Sequence, residues 1–283
     1  MVANRQIHRL FLCARLRKDT VSHFKEVGKL RFIAGKLSRM RMKPKYDFNK
    51  IKFATDAPTF EKAVGLYESG KVTQFKEGLG GFSATVIGTQ PYRVSVSPYR
   101  YDEGGCNCYL GRNDILCKHM VAVAIYAVKG GGTLAYDEKT VIAGPRCSGR
   151  IGVLSDKEMA DRKKEVTEAL KFIKPYYGPS RIWFRYQASL QEGSNRLAKI
   201  VSELPVSPQT AGLLVDLLLL LERKLMGGVD DSDGTVGGCM TDIVEVLEQF
   251  TKLVPACALK FKKLQNLQTS FGWEEPLLKY IAG

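Results

Sequence analysis

The chain has 283 residues, 45% apolar and 25% charged, with 43 Lys and Arg against 29 Asp and Glu and a net charge of +14. Such a length and composition suit one large or two small globular domains, and exclude a disordered tail or a chain that needs disulfides to fold. Seven cysteines, four of them scattered singly (Cys13, Cys147, Cys239, Cys257), exclude a disulfide framework and fit a reducing cytosol in which grouped thiols bind metal.

Residues 1–54 read as a basic arm, helical around Val21–Met42 and interrupted by Pro44. Residues 1–52 carry 15 Lys and Arg against 3 acids, whereas the remainder carries 28 against 26. A block of this kind attracts polyanions by Coulomb steering and counterion release. It is equally compatible with a solvated arm that binds nothing in particular. Its first residues, MVANRQIHRLFLCARLRK, are basic and amphipathic in the manner of an organelle presequence. Against that, the basic pattern continues past Arg41, across a segment containing Asp19 and Glu26. No secretory signal is visible. The expectation is a cytoplasmic protein, associated with nucleoid or nucleus if it meets nucleic acid there.

From Thr55 to about Lys129 the pattern changes. APTFEKAVGLYESGK predicts a short helix with Phe60, Val64 and Tyr67 on one face and Gly70 as its stop. KVTQFKE and FSATVIG, joined by GLGG, predict a β-hairpin, and YRVSVS a third strand. Then comes CNCYLGRNDILCKH, with Cys106, Cys108, Cys117 and His119, running into the apolar MVAVAIYAV, which reads as a buried helix.

Zinc takes four soft or borderline ligands in a tetrahedron. Cys106 and Cys108 can converge on one ion if the backbone turns between them, as at a strand end. Residues two apart on a helix point about 200° away from each other. Cys117 must therefore precede the helix, with His119 in its first turn. The eight-residue loop between the pairs can bring them together, and Gly104, Gly105 and Gly111 loosen the backbone nearby. Zinc is favoured over an iron–sulfur cluster, which usually takes four Cys, Cys147 being the one spare nearby. Four protein ligands leave no position for an activated water, so one structural Zn2+ is expected.

Residues 130–154 read as a Gly-rich linker. From 155 to 283 the chain reads as an all-α helical domain, opened by the capping box of Ser155 and Glu158. Further helices are expected at roughly 183–204, 209–226, 236–252 and 255–268, with Ser207 and Pro208 starting the second of these. The run LLVDLLLLLE from Leu213 contains Asp216 and is too short to span a bilayer. DDSDG at 230–234 fails the EF-hand frame, which needs Asp first and Glu twelfth, and reads as a turn whose acids cap the next helix. The Gly-rich turns lack the Lys-Ser/Thr of a phosphate loop. His8 and His23 lie in the basic arm without ligand partners, so no Ser/His/Asp set can be assembled, and no enzymatic activity or small-molecule substrate is expected.

C-x-C followed by C-x-H, after a hairpin ending in PYRVSV and before an apolar helix, resembles the SWIM-type zinc finger. YESGKVTQF, GGFSATVIGTQPYRVSV and CKHMVAVAIYAV look like prokaryotic members of that family. The resemblance covers about residues 58–129, and more loosely the helical region around LVDLLLLLERKL and IVEVLEQF. It implies zinc ligation by Cys106, Cys108, Cys117 and His119. It also implies DNA binding or protein contact, and no activity of its own.

The expected architecture is thus α+β, a small antiparallel hairpin-and-helix zinc-finger module (55–129) followed by a helical bundle. The expected partner is nucleic acid, DNA more than RNA. It would be contacted by Arg93, Arg100, Arg112 and Lys118 on the module and by Arg31, Lys36, Arg39 and Arg41 on the arm. Tyr92, Tyr99, Tyr101 and Tyr109 stand among the first four, where mixed Arg and Tyr suit phosphate contact and base stacking. The same residues serve protein interfaces, so a protein–protein adaptor with a structural zinc finger is the alternative; no membrane is involved.

Overall fold

The computed structural model describes residues 42–179 and 183–281. The expected helix at 21–42, and with it Arg31, Lys36, Arg39 and Arg41, falls almost wholly outside them.

Two short helices start the described chain. α1 (Phe48–Ala54) is capped by Asp47, whose carboxylate accepts the Lys50 N–H at 2.7 Å. α2 (Ala57–Glu68) is capped by Asp56 and buries Phe60, Ala63, Val64 and Tyr67 at helical spacing. Four antiparallel strands follow in sequential order: β1 (Val72–Gly78), β2 (Gly81–Ile87), β3 (Pro91–Val96) and β4 (Gly104–Cys106). Phe82, Ala84 and Val86 of β2 and Val94 and Val96 of β3 are buried on one face. A short turn of helix, α3 (Tyr109–Arg112), leads to α4 (Lys118–Lys129). α4 lies across β2 and β3 and against α2, and its Val121–Ile125 run is fully buried. MVAVAIYAV is therefore a helix apolar all round because it has neighbours all round.

The helical region has its own core. α6 (Asp156–Leu170) begins at the Ser155–Glu158 capping box, followed by α7 (Trp183–Glu203), α8 (Pro208–Met226) and α9 (Thr235–Leu253). Ser207 caps α8 through its hydroxyl, which accepts the Thr210 N–H at 3.2 Å. The Leu-rich run lies in α8, with Leu213, Leu214, Leu217, Leu218 and Leu221 buried and Asp216 turned outward to Lys263. Among the described residues no helix is long and apolar enough to cross a membrane. Asp231 caps α9 through the Val236 and Gly237 N–H groups, the role expected for the acids of DDSDG. The helix expected at 255–268 is a tighter 3-10 helix, Pro255–Leu264, burying Cys257, Phe261 and Leu264.

Two expectations about boundaries need revision. Residues 42–54 are not part of a free arm: Phe48 and Ile51 belong to the same core as the sheet and α4. Residues 130–154 are not a loose linker either. Leu134 is buried, α5 (Tyr136–Lys139) is tied down by Lys129–Glu138 and Lys139–Glu68 pairs, and Ile151 bridges to Val206 of the helical region. Glycine content marked the turns of this segment without revealing the side chains that anchor it.

The two cores meet where α1 packs on α7. Glu192, 1% exposed, receives Lys50 on one oxygen and Arg196 on the other. Asn195 donates to the Phe53 carbonyl at 2.9 Å. The Arg196 guanidinium lies between the rings of Phe53 and Phe172, 4.9 and 4.8 Å from their centroids. Since Ile51 is fully buried at this end of the sheet module, Ile51→Ala should cost about 2–5 kcal/mol in urea unfolding monitored by circular dichroism. A cost near zero would mean that α1 is peripheral.

Candidate metal centre

Strand register decides where the first ligand points. Directly paired residues of an antiparallel ladder share a face, and Cys106 pairs with Val94. Its thiol therefore lies on the buried face, toward α4. Asn107, between the two cysteines, extends the ladder by one residue. Its side-chain oxygen accepts the Arg93 N–H at 2.9 Å and its own N–H donates to the Arg93 carbonyl at 3.3 Å. The chain then turns, and Cys108 becomes the cap of α3, its sulfur accepting the Gly111 N–H at 3.3 Å. The Cys108 N–H in turn donates to the Cys106 sulfur at 3.5 Å.

The second pair behaves as helix geometry requires. Cys117 is the extended residue just before α4, and His119 sits in the first turn. His119 Nδ1 lies 3.7 Å from the Cys106 sulfur and 3.9 Å from that of Cys117. All four residues are buried, and their ligand atoms lie within 4.8 Å of one another. A tetrahedral zinc with bonds of about 2.0–2.3 Å spaces its ligands by about 3.5–3.8 Å. The donor set and its crowding fit such an ion.

Two details of the surroundings support that fit. The close sulfurs pull each other's acidity apart: hydrogen bonding with Cys106 holds the Cys117 thiol below its ordinary range, while hydrogen bonding with Cys117 and burial push the Cys106 thiol up. His119 Nε2 is buried without a hydrogen-bond partner among the described residues. Tyr92 covers the imidazole instead, its ring stacked at 4.2 Å and 26°, and steadied by a 2.8 Å contact between its hydroxyl and Thr89. A Cβ at Gly88 would lie 2.9 Å from the Tyr92 ring, so the bare backbone there lets the two rings nest. Tyr92, singled out as a contact residue, is thus a plate over a ligand; its place two residues before inward-facing Val94 carried that signal.

Of the other residues expected to form a surface, Arg93 and Arg112 are exposed and Lys118 is half-buried. Arg100 is held by Asp102 and Glu103. Tyr101 is buried and its hydroxyl accepts from Thr55, whereas Tyr99 and Tyr109 are exposed. Lys50 and Lys52 of the basic block have partners within the described fold, Lys50 at Glu192 and Lys52 at the Asp137 carbonyl.

No family profile, curated protein or solved structure matches the chain. The geometry alone therefore supports the metal-site reading.

Gly111 lies against the first ligand: a Cβ there would be 2.4 Å from the Cys106 carbonyl oxygen and 2.5 Å from the Cys106 Cβ. Gly111→Ala should displace the loop and lower bound metal, measured by elemental analysis of the purified protein. Metal affinity should also rise with pH through the neutral range, because thiols must give up their protons to bind metal. Competition with a chromophoric chelator at several pH values would show the slope, and a flat profile would refute ligation by the thiols.

Proposed function

We propose that Cys106, Cys108, Cys117 and His119 hold one structural zinc in a SWIM-type finger. We further propose that the protein binds nucleic acid, DNA more than RNA, without chemistry of its own. The observation that carries this is the closed Cys3His cluster between a strand end and a helix start, with its connecting loop exposed. A sphere filled by protein ligands leaves no site for activated water, so the metal's work is to hold surfaces. The surfaces it holds carry Arg93, Arg112 and Lys118, and the basic block precedes them. On this reading the block supplies affinity through phosphate contacts and the finger supplies orientation.

A second reading, a protein adaptor, is favoured by one specific feature. Tyr109, Leu110 and Ile115 of the loop between the ligand pairs are all exposed. Exposed apolar side chains grouped in this way suit a protein surface.

Cys108→Ser and His119→Ala should each abolish stoichiometric zinc and loosen the sheet module, seen as faster amide exchange across residues 70–129. Metal-free variants with native protection there would refute the structural role. Nucleic-acid binding should weaken steeply with salt, and most of it should be lost on removing residues 1–41. The cut belongs at 41 rather than 52 because Phe48 and Ile51 are core residues. Salt-insensitive co-purification of a protein partner, with no binding to DNA or RNA, would select the adaptor.

A further inference from the structure

Where the sheet module meets the helical region, a cleft of about 510 Å3 opens between α1, the β3–β4 turn and α7. That size suits a small-molecule-sized group rather than a helix or a duplex. Its walls are unusual in carrying both ring faces and cations. Tyr99 lines it with 70% of its surface exposed, and Phe172 is a second aromatic side chain in its wall. Lys45 is held beside Tyr99 by its backbone, since the Lys45 N–H donates to the Pro98 carbonyl at 2.7 Å. Its ammonium group is exposed and has no acidic partner among the described residues. Lys50 and Arg196 line the same cleft, both fixed by Glu192.

The acids in these walls are already engaged. Glu192 is buried beneath its two cations, Asp102 is paired with Arg100, and Asp47 caps α1. An incoming anion therefore meets positioned cations whose counter-charges are tied down. Arg196 is pre-organised further, because the Phe53 and Phe172 rings fix its plane and its two bonds to Glu192 leave Nη1 free of that carboxylate. The wall also includes Tyr46, whose buried hydroxyl has no hydrogen-bond partner among the described residues. An exposed ring beside fixed cations is the arrangement that receives an unpaired base and its phosphate. A base within a duplex is already stacked and cannot offer its face in this way.

We infer that the cleft takes one nucleotide unit of a single strand, with the base on Tyr99 and the phosphate between Lys45 and Arg196. This rests on the nucleic-acid reading above and names the part of the molecule that would distinguish a single strand from a duplex. Lys45 belongs to the basic block, so the described end of that block stands at the mouth of the cleft.

The test uses full-length zinc-loaded protein and a labelled oligodeoxythymidine of about 12 nucleotides, followed by fluorescence anisotropy at several salt concentrations. Tyr99→Ala should weaken binding by about tenfold or more, and Lys45→Ala should reduce the salt slope by about 0.7. Both side chains are exposed, so zinc content and circular dichroism should match the wild type. If wild-type protein binds neither the oligomer nor a duplex of the same length even at low salt, the nucleic-acid reading itself falls, whereas binding of the duplex alone overturns only the cleft assignment. If it binds the oligomer and both variants bind equally well, that reading survives and the cleft assignment is overturned. Equal affinity for a duplex of the same length would overturn it too. Displacement of the oligomer by free thymidine monophosphate at equal nucleotide concentration would overturn the strand and make the cleft a mononucleotide site.

Discussion

Three sulfurs and an imidazole nitrogen crowded within 4.8 Å set the terms for the whole sheet module. Thiolates at that spacing repel one another and burial disfavours their charge, so the deprotonated cluster is costly unless a cation neutralises it. The ladder from Val94 to Cys106, the Asn107 clamp on Arg93 and the start of α4 at Cys117 all converge on this one point. A metal ion there would tie the last strand to the helix that covers the sheet. Its binding energy would then be folding energy for the small core around it.

Much of this was legible in the sequence. The strand period placed the hairpin and third strand, and the C-x-H spacing forced Cys117 outside the helix and His119 into its first turn. Caps at Ser155 and Ser207 located helix starts because each satisfies backbone donors locally. What stayed hidden depends on distant partners. Lys50 and Lys52 read as members of a basic arm, because nothing local shows that Glu192 lies 142 residues ahead of Lys50 or that the Asp137 carbonyl awaits Lys52. Arg100 is a different case, because its partners Asp102 and Glu103 are near in sequence but become partners only through the β3–β4 turn. Composition counts charges; the fold decides which of them remain available to solvent.

The junction between the two cores is built differently from either core. Apolar packing dominates within each, whereas at their meeting a buried carboxylate joins two cations and an amide donates to a carbonyl. Such contacts depend sharply on direction, so they fix the orientation of α1 on α7 more than they add stability. That fixed orientation is what gives the cleft beside them a defined shape.

The ring of Tyr92 over His119 gives the metal centre a closed side and an open side. The imidazole face is covered by an aromatic plate and the strands by the buried core, while residues 109–115 stand in solvent except for the partly covered Gly111. Among the described residues this loop is the solvent-facing side of the cluster, and Cys108 stands at its root. The lifetime of an ion held there would then be a property of the loop, and any partner that settled on the loop would also lock the ion in.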